Sequence, residues 1–274
     1  AVVAYFWPQI TGQEVVIEAI TAEQMAEALA EAQPKTYPGY EEAAVAKLAA
    51  MQADGTIINV HEHLQSELVE PVLSDAMSAN GIGQTVLVGS SWFTITMNPA
   101  VGFTRYEWNN NQLLALAEAH PNRYWAWPTL NPASPDKLEL LENYHARGAS
   151  GLKLYAGHGY VIPGENDYMF HPVAMDDPEM FPIYAYCEAH FIPVCYHVNP
   201  GPTKPGFAQE FLEVLYNFPD LKINAPHFML SSIRDARLRE FLDVFPNLYS
   251  DISFGHDDFL IAGLKRISRS PQKF

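Results

Sequence analysis

The chain has 274 residues, 48% of them hydrophobic and 18% charged, which suits one large α/β domain, or two small ones, with a sizeable core. Its formal net charge of −16 argues against nucleic acid or an anionic membrane surface as partner. The two cysteines, Cys187 and Cys195, form neither a CxxC pair nor a zinc-ribbon spacing, so no disulfide framework is expected.

In chain order, the opening residues Ala1–Pro8 are apolar and include Tyr5 and Trp7. They read as an N-terminal arm packed on the domain, with a membrane tether or signal remnant as the alternative. No stretch approaches the roughly 20 apolar residues of a spanning helix, and a cytoplasmic location is the expectation. Residues 21–33 read as a helix, with Thr21 and Gln24 in capping-box spacing, and a second helix over 41–53 is closed by Asp54-Gly55. Residues 1–55 are thus expected to form a mostly helical extension, and residues 56–274 a barrel domain.

From Ile57 strand and helix patterns alternate. Strand-like runs fall at 57–63, 84–89, 123–130, 150–155, 192–198, 222–228 and 247–253. Helical patterns follow at 66–79, 109–119, 136–146, 179–190, 207–217, 233–244 and 257–267. Repeated strand–helix units without hairpin signals predict parallel strands in right-handed crossovers, and hence a TIM-like (β/α)₈ barrel. The strand count stops at seven, so the expectation is a barrel lacking its eighth strand in this chain. An open doubly wound sheet is disfavoured because no glycine-rich dinucleotide loop follows the first strand.

The chemistry concentrates at the C-terminal ends of the strands, the functional face of such barrels. The first strand ends in His61-Glu62-His63, and i, i+2 residues on a strand share a face, so both imidazoles can address one point. Imidazole is a common zinc ligand. The fifth strand ends in His197, the sixth in His227, and the seventh carries Asp251. Lys153 and Tyr155 sit in the apolar fourth strand. A lone histidine at a strand end is usually a satisfied rim or core residue, but four on one predicted face make a joint site the better reading.

Asn59-Val60-His61-Glu62-His63, Gly151-Leu152-Lys153-Leu154, Tyr196-His197 and Pro226-His227 stand in the order of the amidohydrolase superfamily. The chain resembles its amidohydrolase-related (amidohydrolase 2) group, which includes aminocarboxymuconate-semialdehyde decarboxylase-like enzymes. The resemblance covers about residues 56–274. It implies that His61, His63 and His197 bind a divalent metal, most often one Zn²⁺, and that His227 is a catalytic acid/base or the ligand of a second metal. The family's closing ligand is an aspartate on strand eight; Asp251 is on the seventh, so that role is not carried to it. The implied reaction is attack of an activated water on an amide, ester or lactone. A mononuclear decarboxylase on the same barrel is the alternative, and a non-catalytic accessory subunit with a degenerate barrel is a third reading. Lys153 has two readings: a carboxylated bridge between two metals, or a lysine that orients substrate beside one metal. The second is preferred.

The loops after strands two and four are long. The first carries Trp92, Phe93, Met97, Phe103, Arg105, Tyr106 and Trp108, the second His158, Tyr160, Glu165, Asp167, His171, Asp176 and Asp177. Such loops over a barrel mouth are often lids or binding loops. The aromatics suggest an aromatic or apolar small-molecule substrate, with Arg105 holding a carboxylate, against the plainer reading of a self-packed loop. Substrate binding is therefore assigned to Lys153, Arg105 and Tyr155, and a homo-oligomer is the expected assembly. Gly89-Ser90-Ser91 lacks a serine-hydrolase elbow.

Overall fold

The computed structural model describes residues 40–94, 103–155, 160–161, 168–169, 173–197, 205–227, 242, 244–251 and 253. The expected helices at 21–33 and 257–267, the opening residues, and loop residues Met97, His158, Glu165, Asp167 and His171 lie outside these. So does most of the helix expected at 233–244.

Helix α1 (Tyr40–Asp54) ends at Gly55, whose φ of +61° suits the glycine closure expected there. Strand β1 (Ile57–His63) follows. A short 3₁₀ turn, capped by the Ser66 hydroxyl accepting from the Leu68 N–H at 3.2 Å, leads into α2 (Glu70–Ala79), which has Pro71 in its first turn. Then come β2 (Ile82–Val88), α3 (Tyr106–Ala119), β3 (Tyr124–Trp127), α4 (Lys137–Ala146) and β4 (Leu152–Tyr155). Helix α3 buries Tyr106, Asn109, Asn110, Leu113 and Leu114, the i, i+3, i+4, i+7, i+8 stripe of a helix lying on a sheet.

After β4 the chain makes a small antiparallel pair, β5 (Tyr160–Val161) with β6 (Tyr168–Met169). The sequence showed no hairpin signal, and the structure corrects that: two-residue strands are too short to leave an alternation of apolar and polar residues. The barrel resumes with α5 (Phe181–Ala189), β7 (Val194–His197), α6 (Pro205–Asn217), β8 (Ile223–Ala225) and β9 (Leu248–Ser250).

The barrel strands stand in chain order in two parallel runs, β1-β2-β3 and β4-β7-β8-β9, joined by a parallel bridge between Thr129 and Lys153. Neighbouring ladders are all parallel, as right-handed strand–helix–strand units require. The fold is thus a TIM-type barrel with seven described strands. Its core is apolar: Leu87, Leu113, Leu152, Leu154, Val194, Ile223 and Leu248 have no exposed surface. Each such side chain gains about 1.5–3 kcal/mol from leaving water.

Register sets the level of the site. Lys153 pairs with Cys195 and Tyr155 with His197, while Cys195 pairs with Asn224 and Asn224 with Tyr249. Parallel partners face the same side, so these residues form two layers near the C-terminal end of the barrel. Strand β1 shifts register between Asn59 and Glu62, and such irregularities re-aim side chains. Among the described residues no helix is long and apolar enough to cross a membrane.

Candidate metal centre

Four strand ends deliver the four histidines and one tyrosine as a closed circuit of rings. His61 lies 5.0 Å from His63 between centroids, His63 6.4 Å from Tyr155, and Tyr155 6.0 Å from His197. His197 is 4.9 Å from His227, which returns to His61 at 5.0 Å. The i, i+2 geometry of β1 and its register shift bring Nε2 of His61 within 3.2 Å of Nε2 of His63. Two nitrogens on one tetrahedral ion, each about 2.0–2.1 Å from it, lie about 3.3 Å apart. The donor set therefore fits a divalent ion.

Three of these imidazoles have Nδ1 turned to fixed groups behind them. Nδ1 of His61 meets Oδ2 of Asp251 at 3.1 Å, and that of His227 donates to the Ser253 carbonyl at 2.9 Å. His63 Nδ1 lies 3.4 Å from the Tyr155 hydroxyl, which itself donates to the Gly89 carbonyl. This is the outer support typical of metal-binding histidines, which hold one nitrogen and present the other. His227 sits at φ +58°, a left-handed backbone that is costly for a residue with a Cβ and occurs at functional positions.

Lys153 lies beneath the circuit with no exposed surface. Its Nζ donates to Cys195 Sγ at 3.2 Å and stands 5.0 Å from the centroid of the Tyr155 ring. Asn224 donates to Cys195 Sγ at 3.8 Å and to Oδ2 of Asp251 at 2.8 Å. Burial lowers the pKa of His61, His63 and His227, and the nearby Lys153 ammonium lowers each further. His63 falls to about 2 and His227 to about 4, so both are neutral and able to donate a lone pair at pH 7. Burial alone would raise the Asp251 carboxyl, but hydrogen bonds from His61, Ser253 and Asn224 hold it well below the usual carboxylate range.

Of the residues singled out from the sequence, the structure brings together His61, His63, His197, His227, Tyr155 and Lys153. Arg105 is elsewhere. It sits exposed before α3 at φ +56°, with its guanidinium 4.6 Å over the Trp108 ring and 6.0 Å from that of Phe93. Among the described residues its guanidinium stands over these two rings and not over the histidines. Asn109 of the same helical turn ties this patch to the barrel mouth: Nδ2 donates to the Leu64 carbonyl at 2.8 Å, and Oδ1 accepts from the Ser90 N–H at 2.9 Å. The aromatic loop is partly self-packed, Phe93 edge-on to Trp108, while Trp92 remains 57% exposed.

Sequence reasoning placed Asp251 on the right strand but gave it no role in the site, and it passed over Asn224, Ser253 and Gly89. His61, His227 and Asp251 each offer a ligand atom within 4.8 Å of the others. The usable signal was register. Asn224 pairs with Cys195, two residues before His197, and so lies on the same face as the site.

No curated protein matches the chain. Solved structures share its fold. An uncharacterized TIM-barrel protein from Bordetella bronchiseptica is 20% identical with a TM-score of 0.54, over 81% of this chain and 71% of that one. A probable 2-pyrone-4,6-dicarboxylic acid hydrolase from Acinetobacter baumannii, solved with citric acid bound, is 16% identical with a TM-score of 0.55, over 79% of each chain. A 2,6-dihydroxybenzoate decarboxylase from Rhizobium is 17% identical with a TM-score of 0.52, over 77% of this chain and 84% of that one. The amidohydrolase family model matches residues 95–269, a span that starts beyond the β1 histidine pair, so His61 and His63 enter the site on geometry. That match covers more than half of the sequence, and the chain belongs to the amidohydrolase family.

Proposed function

We propose that the chain is a metal-dependent hydrolase of the amidohydrolase-related group, aminocarboxymuconate-semialdehyde decarboxylase-like in its placement, in which His61, His63 and His197 hold one divalent ion, zinc first. The observation that carries this is the convergence of the His61 and His63 Nε2 atoms at 3.2 Å inside a circuit of imidazoles at the strand ends. Bound there, the ion would supply Lewis acidity and bring a water's pKa towards neutrality, for attack on an amide, ester or lactone carbonyl.

The chain's own groups do the rest. His227 has Nδ1 committed to the Ser253 carbonyl, so its lone pair lies on Nε2, the nitrogen that would take the proton from a reacting water in the course of the reaction. Tyr155, its hydroxyl anchored on the Gly89 carbonyl, forms one wall and keeps its proton because burial raises its pKa. Lys153 supplies a fixed positive charge that attracts a substrate carboxylate or developing oxyanion towards the floor of the site. At the rim, Arg105 and the Trp92–Trp108 patch receive an aromatic or carboxylate-bearing small molecule: a guanidinium stacked on indole keeps its edge donors for a carboxylate.

A decarboxylase is the second reading, favoured by the same buried Lys153, whose hydrogen bond goes to a thiol rather than to a carboxylate. Structures of this fold include enzymes named as 2,6-dihydroxybenzoate and 5-carboxyvanillate decarboxylases. Product analysis on zinc-loaded protein, with a panel of lactones, amides and hydroxybenzoates, separates the two. A new carboxylate with uptake of water supports hydrolysis; released carbon dioxide without one overturns it.

A further inference from the structure

The three-residue cluster His61, His227 and Asp251 looks at first like a ligand set that includes the carboxylate. The hydrogen bonds say otherwise. Oδ2 of Asp251 accepts from Asn224 Nδ2 at 2.8 Å and faces Nδ1 of His61 at 3.1 Å. Oδ1 accepts from the His227 N–H at 3.1 Å, the Ser253 N–H at 3.0 Å and the Ser253 hydroxyl. A carboxylate offers about four lone-pair positions in all. Five donors already converge on Asp251, and none is left for an ion.

We propose that Asp251 is a positioning residue, not a metal ligand: it fixes His61 in the Nδ1–H tautomer that presents Nε2 to the ion, and it pins the left-handed backbone of His227. This rests on the metal-dependent reading above and assigns within it the carboxylate that orients the first strand's ligand. Ionised Asp251 can only accept, so His61 must place its proton on Nδ1, and the lone pair is then on Nε2, the atom that meets His63. The second function follows from Oδ1. His227 has φ +58°, and the Asp251 carboxylate is the acceptor that satisfies its N–H there. One side chain just after β9 thereby sets the direction of a histidine from β1 and the backbone of a histidine after β8.

The test reads the tautomer directly. In the full chain labelled with nitrogen isotope in its histidines and freed of metal, His61, assigned by comparison with His61→Gln, is expected to carry its proton on Nδ1. A proton on Nε2 overturns the proposal. In the cadmium-loaded chain, scalar coupling of the ion to Nε2 of His61 is expected, and coupling to Nδ1 overturns it. Asp251→Asn keeps nearly the same shape and one acceptor oxygen, which the His227 and Ser253 N–H groups hold at the Oδ1 position, so its NH2 faces His61 and shifts the His61 proton onto Nε2. Zinc affinity, measured by competition with a chromophoric chelator, is expected to fall about 10- to 100-fold, the usual cost of losing such a support. Unchanged affinity in a folded Asp251→Asn chain counts against the proposal, and if that variant does not fold, the wild-type tautomer still decides. A wild-type chain that takes up neither zinc nor cadmium removes the metal reading instead, and is distinguished because the His61 tautomer is read without metal.

Discussion

Lowering the pH should destabilise the metal-free protein well before ordinary carboxylates titrate. His63 and His227 are held neutral in the fold, with pKa values of about 2 and 4 against 6.5 when unfolded. Between the two values the unfolded chain binds more protons than the folded one, so stability falls as pH falls. It is fully present above 6.5 and lost progressively below. At about pH 5 each of these two histidines costs about 2 kcal/mol, from about 1.4 kcal/mol per pH unit. His61 acts in the same direction. Asp251 does not change the result, since its depressed pKa contributes stability throughout this window and loses it only below the unfolded value of 3.8. A loss of about 4 kcal/mol lowers the melting temperature of a domain this size by on the order of 10 °C. Calorimetry of chelator-treated protein between about pH 7.5 and 5 measures it. A flat melting temperature, or an equal slope in His63→Gln/His227→Gln, refutes the reasoning.

Three further outcomes are expected. His197→Ala should abolish zinc loading by elemental analysis while leaving the fold intact, and undiminished loading would remove His197 from the ligand set. Lys153→Met should cut turnover of carboxylate-bearing substrates at least about tenfold, and lower the melting temperature modestly because it leaves the Asp251 carboxylate without its compensating buried charge. A large stability loss with unchanged turnover would make Lys153 structural. Gly89→Ala would place a Cβ 2.8 Å from Cβ and 2.9 Å from the backbone nitrogen of Thr129, forcing a backbone shift that costs about 1–3 kcal/mol by denaturant unfolding. It should also loosen Tyr155, whose hydroxyl the Gly89 carbonyl holds; an unchanged unfolding midpoint would contradict the contact.

Strand β1 was legible to the residue, 57–63 in both sequence and structure, because β-branched residues and the histidine pair mark its length. Strand β8 was not. The apolar pattern suggested 222–228, yet the ladder ends at Ala225. Pro226 has no N–H to donate, and His227 turns into the left-handed region, so the chain leaves the sheet where the site needs the imidazole. The four histidines could be found from sequence because strand ends of a parallel barrel converge. The Asp251 network could not, since His61 and Asp251 are 190 positions apart and their meeting depends on the register of the whole barrel. Nor could Arg105 be placed, because the stacking that turns it over Trp108 follows from its left-handed backbone, which no neighbouring glycine announces.

Charge connects the hydrolase and decarboxylase readings. Among the described residues the buried cluster holds one ammonium, Lys153, and one carboxylate, Asp251, with three imidazoles kept neutral between them. Those two charges cancel. A divalent ion added to the imidazoles leaves the cluster two positive charges in excess, in surroundings where uncompensated charge is costly. An anion must complete it, either a deprotonated water or the carboxylate of a substrate. The first anion attacks a carbonyl, and the second is the group a decarboxylase removes. Competition between them decides the chemistry, so a small carboxylate such as benzoate should inhibit a hydrolase competitively, and more strongly as pH falls and hydroxide becomes scarce.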